Sequence, residues 1–209
     1  LLTDSLLQAD HMDGETAREF LNDIGDEADR LTRITEKLLT LTRLDTAPAA
    51  EDVPVDVGAV VERVEHMLSP LARAVEVSLE LKLQPGCVVL ATEDDLYQIA
   101  FNLMENAVKY NLPGGRVLVT LTADGGRVVL RVEDTGVGIP EADLPKIFDR
   151  FYRVDKARSR AAGGTGLGLS IVRDTVLQHG GAVTARRREP EGTCFEVSFA
   201  QWNGEEVGR

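Results

Sequence analysis

Basic residues are in deficit in this 209-residue chain: 23 lysines and arginines stand against 35 aspartates and glutamates, a formal net charge of −12. General nucleic-acid binding needs a basic stripe that displaces counterions from phosphate, so that class is excluded as a surface property. A small anionic ligand is not excluded, because it responds to local charge. Cysteine is scarce as well. Cys87 and Cys194 lie in apolar, strand-like runs and read as buried thiols in a reducing compartment, with no disulfide framework. No apolar run approaches the ~18 residues of a membrane span, and no signal-peptide pattern is present. Internal repeats, low-complexity blocks and a G-x-x-x-x-G-K-[ST] phosphate loop are all missing. The chain opens on Leu-Leu rather than Met, so it is expected to be part of a longer protein.

What is present is a change of periodicity. Residues 1 to 9 read as the end of a helix, closed by Asp10 to Gly14. A long helix is expected from Glu15 to about Asp45. Phe20, Ile24, Leu31, Ile34, Leu38 and Leu41 follow alternating four- and three-residue steps, broken at Glu27. Such a stripe packs either on its own domain or on a second subunit. The Pro/Ala/acidic stretch from Thr46 to Pro54 reads as a linker and favours the second subunit. The expected division is residues 1–46, a linker at 47–53, a domain over 54–200 and a tail at 201–209.

Within 54–200, helix and strand patterns alternate. Asp56 can cap a helix to about Ala72, and Val75 to Leu83 and Cys87 to Ala91 read as strands. Val117 to Thr122 and Arg127 to Glu133 flank an Asp-Gly-Gly hairpin turn. A helix is expected from Thr165 to His179, and a last hairpin pairs Ala182 to Arg188 with Thr193 to Ala200. That is a mixed sheet with helices on one face, a two-layer α/β sandwich.

One helix carries chemistry. Thr92 can cap it, with Asp95 as capping-box partner, and Leu96, Ile99, Ala100, Leu103 and Ala107 form its buried stripe. Asn102, Asn106 and Lys109 share another face. Asn106 offers a neutral amide oxygen, suited to Mg²⁺ beside a polyphosphate, and Lys109 supplies a point charge. Tyr110 can stack on a nucleoside, hydrogen-bond it, or belong to the core. Asp134 ends a strand, where it is either a turn residue or an acceptor for an adenine amino group; guanine, with a carbonyl there, would be repelled. Gly136 and Gly138 would let the backbone approach the base, and Gly166 and Gly168 would open a helix whose N–H groups face phosphate.

The stretches N-L-M-E-N-A-V-K-Y at 102–110, D-T-G-V-G-I-P at 134–140, F-D-R-F-Y-R at 148–153 and G-G-T-G-L-G-L at 163–169 occur in that order. Together they resemble the N, G1, F and G2 boxes of the ATP-binding domain of sensor histidine kinases, in the GHKL superfamily with its Bergerat fold. The resemblance covers roughly residues 53 to 200, and more weakly the helix before it. It implies ATP and Mg²⁺ as ligands, with Asn106 on the metal and Asn106, Lys109 and Arg153 as the catalytic set. Asn102, Tyr110, Asp134, Gly136, Gly138, Ile139, Tyr152, Thr165, Gly166, Leu167, Gly168 and Thr193 complete the nucleotide contacts. It also implies γ-phosphoryl transfer to a histidine of the dimerisation hairpin, of which the long helix would be the second arm. The implied partners are the receiver domain of a response regulator and a second copy of the chain. The implied setting is the cytoplasmic part of a membrane-anchored bacterial sensor.

His11, His66 and His179 lack the family acceptor box. His66 heads H-M-L-S-P-L, whose proline comes one residue early and whose acidic neighbour is missing. The acceptor is therefore expected upstream of Leu1, and this chain alone is not expected to phosphorylate itself. Gyrase-type and mismatch-repair-type ATPases, the alternative class, carry a water-activating glutamate four residues before the magnesium asparagine, where this chain has Asn102. A nucleotide-binding pseudokinase is a third reading, opposed by the intact Asn106, Lys109, Asp134 and Arg153.

Lys146, Arg150, Arg153, Lys156, Arg158 and Arg160 reverse the chain's acidity locally and suggest a lid over phosphate. Hydrogen exchange should find residues from about Asp155 to Ala162 poorly protected alone and protected with ATP. High protection without nucleotide, unchanged on adding it, would remove the lid assignment.

Overall fold

The computed structural model describes residues 14–46, 51–155 and 164–204. The expected helix end at 1–9, His11, the lid residues from Lys156 to Ala162 and the last five residues lie outside that range, as does most of the linker. The domain is built on a five-stranded sheet in the order β2–β4–β5–β7–β6: Ser78–Leu83, Arg116–Asp124, Arg127–Asp134, Thr193–Ala200 and Ala182–Arg187. β2 and β4 run parallel, and the other pairs are antiparallel. Alternation along the strands decides which face is which. Val117, Val119, Leu121, Val128, Leu130, Val132, Phe195, Val197 and Phe199 are buried. On the other face Arg131 donates across the ladder to Glu196 at 2.6 Å, its register partner.

Three helices cover the apolar face, giving the two-layer α/β sandwich. In α2 (Val57–Ala74), Val57, Val60, Val61, Val64, Leu68 and Ala72 repeat at helical spacing and are buried. Asp56 accepts from Gly58 N at 2.8 Å as its cap, worth about 1 kcal/mol. α3 (Glu93–Lys109) starts where Thr92 Oγ1 accepts from Asp95 N at 3.1 Å. α4 (Gly168–Gln178) packs against α3. Before them runs α1 (Gly14–Thr46), where Leu21, Leu31, Leu38 and Leu39 are exposed while Phe20, Ile24 and Ile34 are half-buried. α1 contacts α4, so this domain covers part of its stripe.

Four boundaries differ from expectation. The strand drawn from Val75 starts at Ser78, because Val75 ends α2 and Glu76 turns through a left-handed φ of 57°. Val53 and Pro54, read as the end of the linker, belong to β1 (Val53–Asp56), antiparallel to β3 (Val88–Ala91) in a separate two-stranded ribbon. Pro54 masked it, although proline is tolerated on an edge strand. α4 begins at Gly168 rather than Thr165, since Thr165 Oγ1 accepts from Leu167 N at 3.3 Å in a turn before the helix. His179 stands one residue past the end of α4, as its C-cap.

His179 is also a clamp. Its side chain is only 2% exposed, with Nε2 2.8 Å from Asp95 Oδ2 on α3. Nδ1 lies 3.0 Å from Asp52 Oδ1, just before β1, without hydrogen-bond alignment. The Asp95 contact, followed by Asp52, raises the imidazole above its ordinary 6.5 against the pull of burial. The same bond holds the Asp95 carboxyl below its ordinary 3.8. A raised histidine stabilises fully below the unfolded value and loses that contribution as pH climbs through the folded one. A lowered aspartate stabilises above its unfolded value and loses the contribution as pH falls through the folded one. The clamp is therefore strongest between the two ordinary values. Denaturant titrations of wild type and His179→Gln should differ by about 1.5–3 kcal/mol near pH 5.5 and converge in mildly alkaline buffer. A gap that widens with pH would contradict this account.

Candidate functional site

The C-terminal half of α3, the end of β5, the segment from Val137 to Asp155 and the start of α4 enclose a cleft of about 1000 Å³. Of the residues singled out by sequence, it brings together Asn106, Lys109, Tyr110, Asp134, Gly138, Ile139, Tyr152, Arg153, Thr165, Gly166, Gly168 and Thr193. The α-helical period places Asn106, Lys109 and Tyr110 on this wall, because α3 turns its other face to the sheet.

Asp134 is buried, 6% exposed, at the end of β5. Its Oδ1 accepts from Gly136 N at 2.8 Å and from Thr193 N at 3.2 Å. Both backbone donors converge on one oxygen, so Oδ2 keeps acceptor capacity for a ligand's amino group. Burial pushes the carboxyl above its ordinary value, and the two N–H groups pull it back. A further donor would favour the charged form again.

Gly192 makes that arrangement possible. It sits at φ +110°, and a Cβ there would fall 1.9 Å from the Asp134 carbonyl oxygen. Only a bare Cα lets β7 start close enough for Thr193 N to reach the carboxylate.

Arg153 and Lys109 are two of the cations that line the cleft. Arg153 lines the cleft, and its buried Nε and Nη2 have no hydrogen-bond partner. Buried N–H groups of a cation without an acceptor are costly, and an anionic ligand would satisfy them. Lys109 Nζ lies 2.8 Å from Glu105 Oε1. Tyr152 donates to Asp143 Oδ1 at 2.6 Å, which raises the phenol and fixes the ring beside Arg153 in sequence. Phe151, at φ +65°, donates its N–H to Gly166 O at 2.8 Å and so ties the segment ending at Asp155 to the glycines before α4. Among the described residues no group of three or more His, Cys, Asp or Glu is placed to hold a metal. A magnesium ion here would rest on the Asn106 amide and the ligand's own oxygens, which suits a hard cation that retains water.

Three expected contacts do not line the cleft. Asn102 is 4% exposed and donates to Gln98 O at 2.8 Å. Its Oδ1 abuts Gly168, where a Cβ would come within 2.8 Å, so it packs the helices together. Gly136 lies against the backbone of Tyr110, where a Cβ would fall 2.3 Å from the Tyr110 carbonyl oxygen; its missing side chain admits α3, not a base. Leu167 is fully buried beside Ile171. Conversely, Glu105, Phe101, Arg187, Glu191, Gly192 and Phe195 line the cleft without having been singled out. Glu105 was detectable as the residue four before Lys109. Gly192 fell between the strands of the last hairpin and Phe195 within its second strand, where nothing local marks either.

Comparison with known proteins agrees with this geometry. Residues 91–202 match the family of histidine kinase-, DNA gyrase B- and HSP90-like ATPases, and the chain belongs to that family. It is 34% identical over 203 residues to the sensor-like histidine kinase SenX3 of Mycolicibacterium smegmatis, covering 97% of this chain and 53% of that one. The chain thus spans about half the length of that relative. The mycobacterial sensor histidine kinase MprB superposes with a TM-score of 0.62 at 32% identity, over 72% of this chain and 97% of that one. Full-length ShkA, solved in complex with AMPPNP, gives 0.74 at 30% identity, over 98% of this chain and 43% of that one.

Replacing Gly192 by alanine should cost at least about 2 kcal/mol, from left-handed strain plus the clash with Asp134. Gly126→Ala, also at positive φ but with open space around it, should cost only the strain of about 1–2 kcal/mol. Urea titration of the two variants checks the difference; equal costs would deny Gly192 its packing role.

Proposed function

We propose that this chain is the ATP-binding portion of a sensor histidine kinase, passing the γ-phosphoryl group of Mg-ATP to a histidine on a helical hairpin for relay to a response regulator. The observation that carries the reading is the pairing, in one cleft, of a buried carboxylate open to an amino group with a guanidinium whose buried Nε and Nη2 have no hydrogen-bond partner. Asp134 would take the adenine amino group, and Lys109 and Arg153 would hold phosphate oxygens. Asn106 would hold Mg²⁺, which neutralises phosphate charge as the transferring group develops it. In the transfer, the bond from the γ-phosphorus to the bridging oxygen breaks, a phosphorus–nitrogen bond forms, and ADP leaves.

Asn102 favours kinase over hydrolase. The residue four before Asn106 is an amide buried against α4, so that position supplies no base for water. Neither described histidine suits the acceptor role. His66 lies on the outer face of α2, and His179 is clamped between two aspartates. The exposed leucines of α1 suit a hairpin that pairs with a second copy, and a receiver domain would dock on such a hairpin. Membrane attachment would belong to other segments of a longer protein; no described helix is long and apolar enough to cross a bilayer.

Calorimetry tests the reading. ATP and ADP should bind and GTP should bind little, and Asp134→Asn should weaken ATP by about 1.5–3 kcal/mol. Equal affinity for GTP would take Asp134 out of base recognition.

A further inference from the structure

The cleft has an unexpected charge balance for a polyphosphate site. Among the described residues lining it, Lys109, Arg153 and Arg187 are outnumbered by Glu105, Asp134, Asp155 and Glu191. Glu105 precedes Asn106 directly and stands one helical turn before Lys109. Its carboxylate meets the Lys109 ammonium at 2.8 Å, with the side chains only 18% and 29% exposed. A pair so far withdrawn from water is coupled more strongly than an i,i+4 pair on an open helix.

We propose that Glu105 makes the cleft select the magnesium complex of a nucleotide over the metal-free nucleotide, by holding Lys109 until a ligand arrives with its own cation. The proposal rests on the nucleotide reading above and adds a residue to it. A metal-free triphosphate is more negative than its magnesium complex by the full charge of the metal. To reach Lys109 it must displace Glu105 and leave that carboxylate half-buried beside phosphate with no counter-charge, which is costly. With a cation held at the neighbouring Asn106, Glu105 keeps a positive neighbour and Lys109 is free to turn to phosphate. Asn106 and Glu105 thus divide two tasks. The neutral amide serves as ligand, and the charge one residue away sets the preference.

The experiment is calorimetry on this chain, wild type and Glu105→Gln, with ATP in EDTA and again in excess magnesium. Glutamine keeps the shape and releases Lys109. Metal-free ATP should bind the variant at least about fivefold more tightly, a gain of about 1 kcal/mol, while Mg-ATP shifts less than about twofold. The preference for the magnesium complex should therefore shrink by several fold. If Glu105 only stiffens the helix, both ligand forms change by the same factor and the ratio holds. A constant ratio overturns the proposal, as does a variant that binds metal-free ATP no more tightly than wild type. Folded wild-type protein that binds neither form would instead remove the nucleotide reading itself, a distinct result visible before any variant is made.

Discussion

A single carboxylate oxygen holds the end of β5 and the start of β7 in register beside the cleft. Asp134 Oδ1 accepts from Gly136, two residues on, and from Thr193, 59 residues on. The first bond shapes the turn that leaves β5, and the second sets where β7 begins. Backbone N–H groups buried without a partner are rarely tolerated, so neither segment can drift without stranding a donor. The shared carboxylate is itself destabilised by burial, and these donors, followed by the charge of Arg188 and the Thr193 hydroxyl, act against that. On the proposed reading, structure and recognition therefore meet at one side chain.

α3 is fixed at both ends, which matters because it carries Asn106, Glu105 and Lys109. At its start, Thr92 caps the helix and Asp95 is bound by His179 from the end of α4. At its end, Val137 N donates to the Tyr110 carbonyl at 3.2 Å, and Gly136 packs directly on that backbone. Groups that grip a ligand need support from a second layer of contacts, and here the support lies mostly outside the cleft. Asn102 belongs to that second layer. The sequence resemblance placed it among the ligand contacts, whereas the fold makes it a spacer between α3 and α4.

The parts of the molecule legible in the sequence are those governed by local rules. The strand alternation around Val117–Leu121 and Val128–Val132, the caps at Asp56 and Thr92, and the face carrying Asn106 and Lys109 all follow from neighbours within one or two turns. What could not be read depends on chain segments meeting from afar. β1 hides behind a proline and exists only because β3 pairs with it. Gly192 is one more turn glycine until Asp134 is laid against it. His179 suits a helix end on its own terms, and its two aspartates come from positions 84 residues earlier in the chain and beyond. Glu105 was within reach of a spacing argument, standing four residues before Lys109 on the same helix face.

The bond between Asp134 and Thr193 also closes a loop, and the segment before α4 lies inside it. Loop closure entropy grows only with the logarithm of length, so doubling such a segment costs about 0.6 kcal/mol. The sheet, the carboxylate clasp and the helix α3 would scarcely register such a change. Evolution can therefore lengthen, shorten or rewrite the stretch between residues 155 and 164 almost independently of the fold. In this architecture the stretch before α4 is free to diverge while the turn that leaves β5 is held by geometry.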